Sequence, residues 1–176
     1  TPEKVGEMMQ EFHRIFELLH AFTIPTLAVV DGAALGGGCE LVVACDMVVA
    51  SERAKLGQPE INVGVFPPIA AAVFPRLIGR NRAMELLMTG ESVPAAEAAR
   101  IGLINKVFPV EGFDAAVNDV VAKVTRQSRV ILEMTKRAID GGLLRPTMEA
   151  INAAEGIYMK EMMKTQDALE GLAAFL

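Results

Sequence analysis

The sequence predicts an α/β layer followed by a helical C-terminal lobe, and three observations carry this. Two short β-branched apolar runs, Thr26–Val30 and Met47–Ala50, flank a glycine-rich helix start. From Ile69 onward apolar residues recur at helical spacing. Strands therefore alternate with helices first, and helices dominate afterwards, as in a sheet with a helical appendage.

The first helix opens at Thr1-Pro2-Glu3, with Thr as N-cap and Pro at the first helical position. Its apolar positions include Met9, Phe12, Ile15, Phe16 and Leu19, and Ile24-Pro25 ends it. Ala33–Leu35 and Gly36-Gly37-Gly38 read as a tight turn into a helix running to about Cys45. A loop follows the second strand and contains Gly57-Gln58-Pro59-Glu60-Ile61 and Gly64–Pro68. Ile69–Ile78 and Asn81–Met88 are helices broken at Gly79, and Pro94–Arg100 is a short helix stopped by Gly102. Lys106–Phe108 is a short strand. Phe113–Thr125, Arg129–Ile139, Thr147–Met163 and Thr165–Phe175 complete the helical lobe.

Composition narrows the function. The 176 residues are 52% hydrophobic with a net charge of −5, which gives nucleic acid or an anionic membrane no bulk attraction. No apolar run reaches the roughly 18 residues a membrane span needs. A mean hydropathy of +0.34 points to tight helix packing and to a face buried against other subunits. Cys39 and Cys45 lie six apart and point to different sides of one helix, so reduced thiols and a cytoplasmic location are expected. His13 and His20 have no cysteine or acid to complete a metal set, and no metal is expected.

Two features carry candidate chemistry. A helix N-terminus at Gly36–Gly38 presents unpaired N–H groups that a ligand oxygen can approach closely. Such donors suit a thioester carbonyl becoming an enolate; the same glycines also read as a packing feature. Glu40 and Glu60 are the second feature. Adding water across a double bond needs one group to take a proton and another to give one. Each glutamate also reads as a first-turn acid favouring its own helix dipole. Their spacing of twenty does not by itself bring them together.

The run Ile24–Leu41, with Gly57-Gln58-Pro59-Glu60-Ile61, Arg76-Leu77-Ile78-Gly79, Leu87-Met88-Thr89-Gly90 and Ala95–Val107, resembles the crotonase (enoyl-CoA hydratase/isomerase) superfamily. The resemblance covers nearly the whole chain. It implies a crotonase (ClpP-like) fold, incomplete at its N-terminus. Residues 1–110 would be the C-terminal part of the core and 111–176 a helical oligomerisation region. The family's early strands and the loop with a second oxyanion-hole N–H would lie outside this sequence.

By the same resemblance, Gly37 supplies an oxyanion-hole N–H between Gly36 and Gly38. The glutamate at position 40 activates water, and the one at position 60 exchanges the α-carbon proton. Phe175 packs near the CoA adenine. Having both glutamates favours a hydratase over a one-glutamate isomerase or a non-catalytic assembly subunit. The substrate is an acyl-CoA, coenzyme A being part of it rather than a separate cofactor. The assembly expected is a homotrimer or hexamer. The chain departs from the family at Pro67-Pro68-Ile69-Ala70-Ala71-Ala72, where relatives are glycine-rich. This variant looks like the cyclohexa-1,5-diene-1-carbonyl-CoA hydratases of aromatic degradation. Ile69 and Ala70–Ala72 are expected to fill and dry the acyl pocket.

Overall fold

The computed structural model describes residues 2–175; the expected N-cap Thr1 lies outside them. The chain divides into two compact units, Thr1–Ala21 with Thr26–Asn118, and Phe22–Pro25 with Asp119–Leu176.

The first unit begins with α1 (Pro2–Ala21), β1 (Leu27–Val30), β2 (Ala33–Leu35) and α2 (Gly37–Val43). Then come β3 (Met47–Ser51), β4 (Lys55–Gly57) and a 3-10 turn, Pro59–Val63. It continues with α3 (Pro68–Ile78), α4 (Arg80–Thr89), β5 (Ser92–Pro94), α5 (Ala95–Arg100) and β6 (Lys106–Phe108). Two three-stranded sheets result. One has the order β1-β3-β6 and is parallel throughout; in the other, β2 pairs parallel and β5 antiparallel with β4.

Side chains fix the registers. Asp46 Oδ2 accepts from the N–H of Thr26 at 2.6 Å and from its hydroxyl at 2.8 Å. These bonds sit just before the pair Leu27↔Met47 and lock β1 against β3. Asn105 does the same for β6: its Oδ1 accepts from the Val48 N–H at 2.7 Å, while its own N–H donates to the Val48 carbonyl at 3.0 Å. The core they frame includes Val30, Val48, Leu56, Phe74, Leu86 and Ile104.

Three elements differ from the sequence reading. Ala33–Leu35, expected as a turn, and Lys55–Gly57, expected as loop, are strands; Ser92–Pro94 is a strand that the reading did not include. Three residues are too few for alternation to show. The helix from the glycine turn also ends at Val43 rather than Cys45.

The chain crosses between the units within α6 (Phe113–Thr125). The second unit then holds α7 (Arg129–Gly142), α8 (Thr147–Lys160), a 3-10 turn at Met162–Lys164 and α9 (Gln166–Phe175). Ser128 caps α7, its hydroxyl accepting from the Ile131 N–H at 3.3 Å. Arg137 of α7 pairs with Glu161 just after α8 at 2.5 Å. Lys136 is mostly buried, and its Nζ donates to the Ile24 carbonyl at 3.4 Å. A groove of about 460 Å³ between α7 and α8 is lined by apolar side chains including Met134, Ile139, Ile151 and Tyr158.

Phe74 is fully buried at the centre of the first unit. Phe74→Ala should cost about 3–5 kcal/mol, the range for deleting a buried aromatic ring. Denaturant unfolding would show this as a lower midpoint with an unchanged slope.

Candidate active site

Glu40 and Glu60 stand twenty positions apart, and a strand pair removes the separation. β2 and β4 run parallel, with Leu35 opposite Gly57. The Gly36 N–H extends the ladder by donating to the Gly57 carbonyl at 2.9 Å. The end of β2 turns into α2, which carries Glu40 in its first turn. The end of β4 runs into Gln58 and the 3-10 turn that carries Glu60.

Gly36 makes the close approach possible. Its φ of 56° is left-handed, and a Cβ there would stand 2.7 Å from Glu60 Oε1. A side chain at this position would meet both backbone strain and a carboxylate. Gly37 follows as the first residue of α2, so its N–H has no acceptor within the helix. Gly38 is exposed, with open space where a Cβ would be.

Glu40 is 4% exposed. Its Oε1 accepts from the Ala70 N–H at 2.8 Å, and the Ile69 N–H also donates to the carboxylate. Both donors belong to the first turn of α3, whose dipole favours an anion. Burial nevertheless outweighs them and holds Glu40 above the ordinary carboxyl range. The negative charge of Glu60 pushes the same way, and His13 of α1 pulls weakly downward.

Glu60 is half-buried. Pro59 starts its turn and Gly64, at φ 81°, ends it. The turn is braced by α4: Gly90, at φ 66°, leaves the space where a Cβ would meet Ile61 Cγ2 at 2.7 Å. Gln58 is fully buried. With its amide nitrogen toward Glu60, it donates to Oε1 at 3.3 Å and to Oε2 at 3.2 Å. The sequence alone gives Gln58 no role, because a polar residue in an apparent loop carries no sign of burial. Cys39, beside Glu40, is wholly buried and its thiol is pushed up to about 12 by burial, so it is neutral and unsuited to nucleophilic attack.

The remaining expected residues divide. Pro67 is buried and Ile69 half-buried at the start of α3, but Pro68 is exposed. Ala70 is fully buried, whereas Ala71 and Ala72 face solvent, so the expectation that all three fill a pocket is corrected. A helix turns successive side chains through about 100°, so a run of three cannot share one face. The side chain of Phe175 lies outside the described residues. His13 and His20 are exposed, and no cluster of metal-ligating side chains occurs among the described residues.

The arrangement is a backbone N–H at a glycine turn beside two carboxylates of unlike environment. Two strand pairs and two helix starts hold it, as in enzymes that stabilise an enolate while moving protons. The model of the enoyl-CoA hydratase/isomerase family matches residues 1–176, and the chain belongs to that family. It is 35% identical over 177 residues to a probable mitochondrial enoyl-CoA hydratase 2 of Arabidopsis thaliana, covering 99% of this chain and 58% of the relative. It is 34% identical over 175 residues to the cyclohexa-1,5-dienecarbonyl-CoA hydratase of Thauera aromatica, covering 99% and 67%. Among solved structures, an enoyl-CoA hydratase of Mycobacterium smegmatis superposes with a TM-score of 0.93 at 30% identity, covering 99% of this chain and 68% of the other. The crotonase fold follows from these matches. The chain thus spans less than two thirds of the length of the Arabidopsis relative.

The elevated carboxyl of Glu40 predicts how stability depends on pH. The folded state binds this proton more tightly than the unfolded chain, so ionising Glu40 costs stability as pH rises from 4.5 through its folded value. Glu40→Gln keeps an acceptor for the Ala70 N–H and removes the charge. It should raise the melting temperature at pH 7–8 and leave it unchanged below about pH 4, where both forms are neutral. Thermal melts of parent and variant across that range check this.

Proposed function

We propose that the protein adds water to the double bond of an unsaturated acyl-CoA thioester. The observation that carries this is the meeting of Glu40 and Glu60 at the start of α2, beside the N–H of Gly37. The thioester oxygen accepts from Gly37. Ionised Glu40 takes a proton from water as the hydroxyl oxygen bonds to the β-carbon. The electron pair of the double bond shifts to the oxygen, giving an enolate. In the reactive form the one proton held by the pair lies on Glu60, which delivers it to the α-carbon as the carbonyl re-forms. The proton on Glu40 restores Glu60, so the net change is one added water. Burial keeps Glu40 basic enough for its task. Gln58 holds Glu60 in place.

Coenzyme A is part of the substrate in this reading, and no separate cofactor is needed. The narrower substrate is a cyclic dienoyl-CoA. Its support is the buried Pro67 and Ala70 with half-buried Ile69, together with the likeness to the Thauera enzyme. The working form is a homotrimer or hexamer in the cytoplasm. Exposed apolar side chains of the second unit support this assembly: Leu143, Leu144, Met148 and Met159 are each 64% exposed or more. No helix among the described residues is long and apolar enough to cross a membrane, and the net charge of −5 does not favour nucleic acid.

Incubation of the full-length protein with crotonyl-CoA and a cyclic dienoyl-CoA in ¹⁸O-water tests the reaction. Label in the product supports hydration; a shifted double bond without label supports an isomerase, and no turnover a non-catalytic subunit. Glu40→Gln and Glu60→Gln should each lower kcat by about 10²–10⁴-fold, the usual worth of one general acid or base. Gln58→Leu should lower kcat by at least about ten-fold with KM little changed, because it frees a carboxylate rather than removing it. Sedimentation at micromolar protein should give a trimer or hexamer; a monomer overturns that part.

A further inference from the structure

We propose that Phe12 of α1 is a specificity-determining residue whose ring forms the wall of the acyl site beside Gly37. This deepens the hydration reading and rests on it. A Cβ at Gly37 would lie 3.0 Å from Phe12 Cζ, with Cε1 and Cε2 at 3.5 and 3.7 Å. The tip of the ring is therefore aimed at the first residue of α2, the residue whose N–H meets the thioester oxygen. Phe12 is half-buried and Phe16, one turn along α1, backs it edge-to-face with ring centroids 5.2 Å apart at 73°. That packing limits the ring's freedom to move aside.

The neighbouring residue agrees with this placement of α1. His13, next in the chain, interacts electrostatically with Glu40. Gly37 and Glu40 are one turn apart on α2 and so lie on one face of it. In this proposal, a carbonyl held by the Gly37 N–H sets its acyl group beside this wall. The apolar edge of a ring braced from behind leaves room for a compact acyl group and obstructs a bulky or long one. The competing explanation is that Phe12 merely packs α1 against α2.

The two explanations predict different kinetics. With the intact protein, kcat/KM is measured for crotonyl-CoA and for a ten-carbon trans-2-enoyl-CoA, and the ratio of the two is compared among variants. The ratio does not depend on how much enzyme is folded. Phe12→Ala should shift it at least about ten-fold toward the longer substrate, since a change of methylene size is worth about 10–200-fold in such pockets. Phe12→Leu, a milder change that spares folding, should shift it the same way by less. Ile15→Ala, at an exposed position of the same helix, should leave it unchanged. Ratios within two-fold of the parent in both Phe12 variants, with hydration retained, overturn the proposal and leave the hydration reading standing. A parent that hydrates neither substrate overturns both.

Discussion

A carboxylate removed from water must find donors within the protein, and the site is organised around how Glu40 does so. Its carboxylate accepts from the two N–H groups that open α3, groups that any helix leaves unpaired. One contact thus satisfies a helix end, tethers α3 to α2 and fixes the side chain. The donors do not fully offset desolvation, and the charge of Glu60 adds to the deficit. The protein carries a stability cost at this residue. Buried carboxyls shifted in this way cluster at functional sites.

Glycine does the complementary work. At Gly36 the missing side chain admits the carboxylate of Glu60, and at Gly90 it admits Ile61 of the turn that bears Glu60. At Gly57 a Cβ would stand 2.7 Å from the Ser92 Cα, so the β4–β5 pair also closes on a glycine. Three glycines far apart in sequence therefore admit two side chains and one neighbouring backbone at close range. The side chains between them need few further restraints, Gln58 being the main one.

Much of this was legible in the sequence, for identifiable reasons. The glycine turn and its helix were visible because three consecutive glycines before helix formers have few other uses. The long amphipathic helices were visible because each buries a stripe over several turns. The strands Ala33–Leu35, Lys55–Gly57 and Ser92–Pro94 were not, being too short to show a period. The meeting of Glu40 and Glu60 was hidden for the same reason, since it depends on pairing between two of those strands. Family resemblance supplied it instead. Gln58 gives no signal because burial of a single amide leaves no mark on local pattern, and helix phase turns Ala71 and Ala72 away from the buried face that holds Ala70.

The pairing of β2 with β4 has a consequence for partly folded forms of the chain. Helices form from local contacts, but the paired residues of these two strands are twenty-two positions apart and join only when the surrounding packing is in place. An expanded, compact state that kept its helices and lost its side-chain packing would show near-native far-ultraviolet dichroism. It would nonetheless separate the two carboxylates. Helix content is thus a poor gauge of a competent site in this protein, and the integrity of six paired residues is a better one.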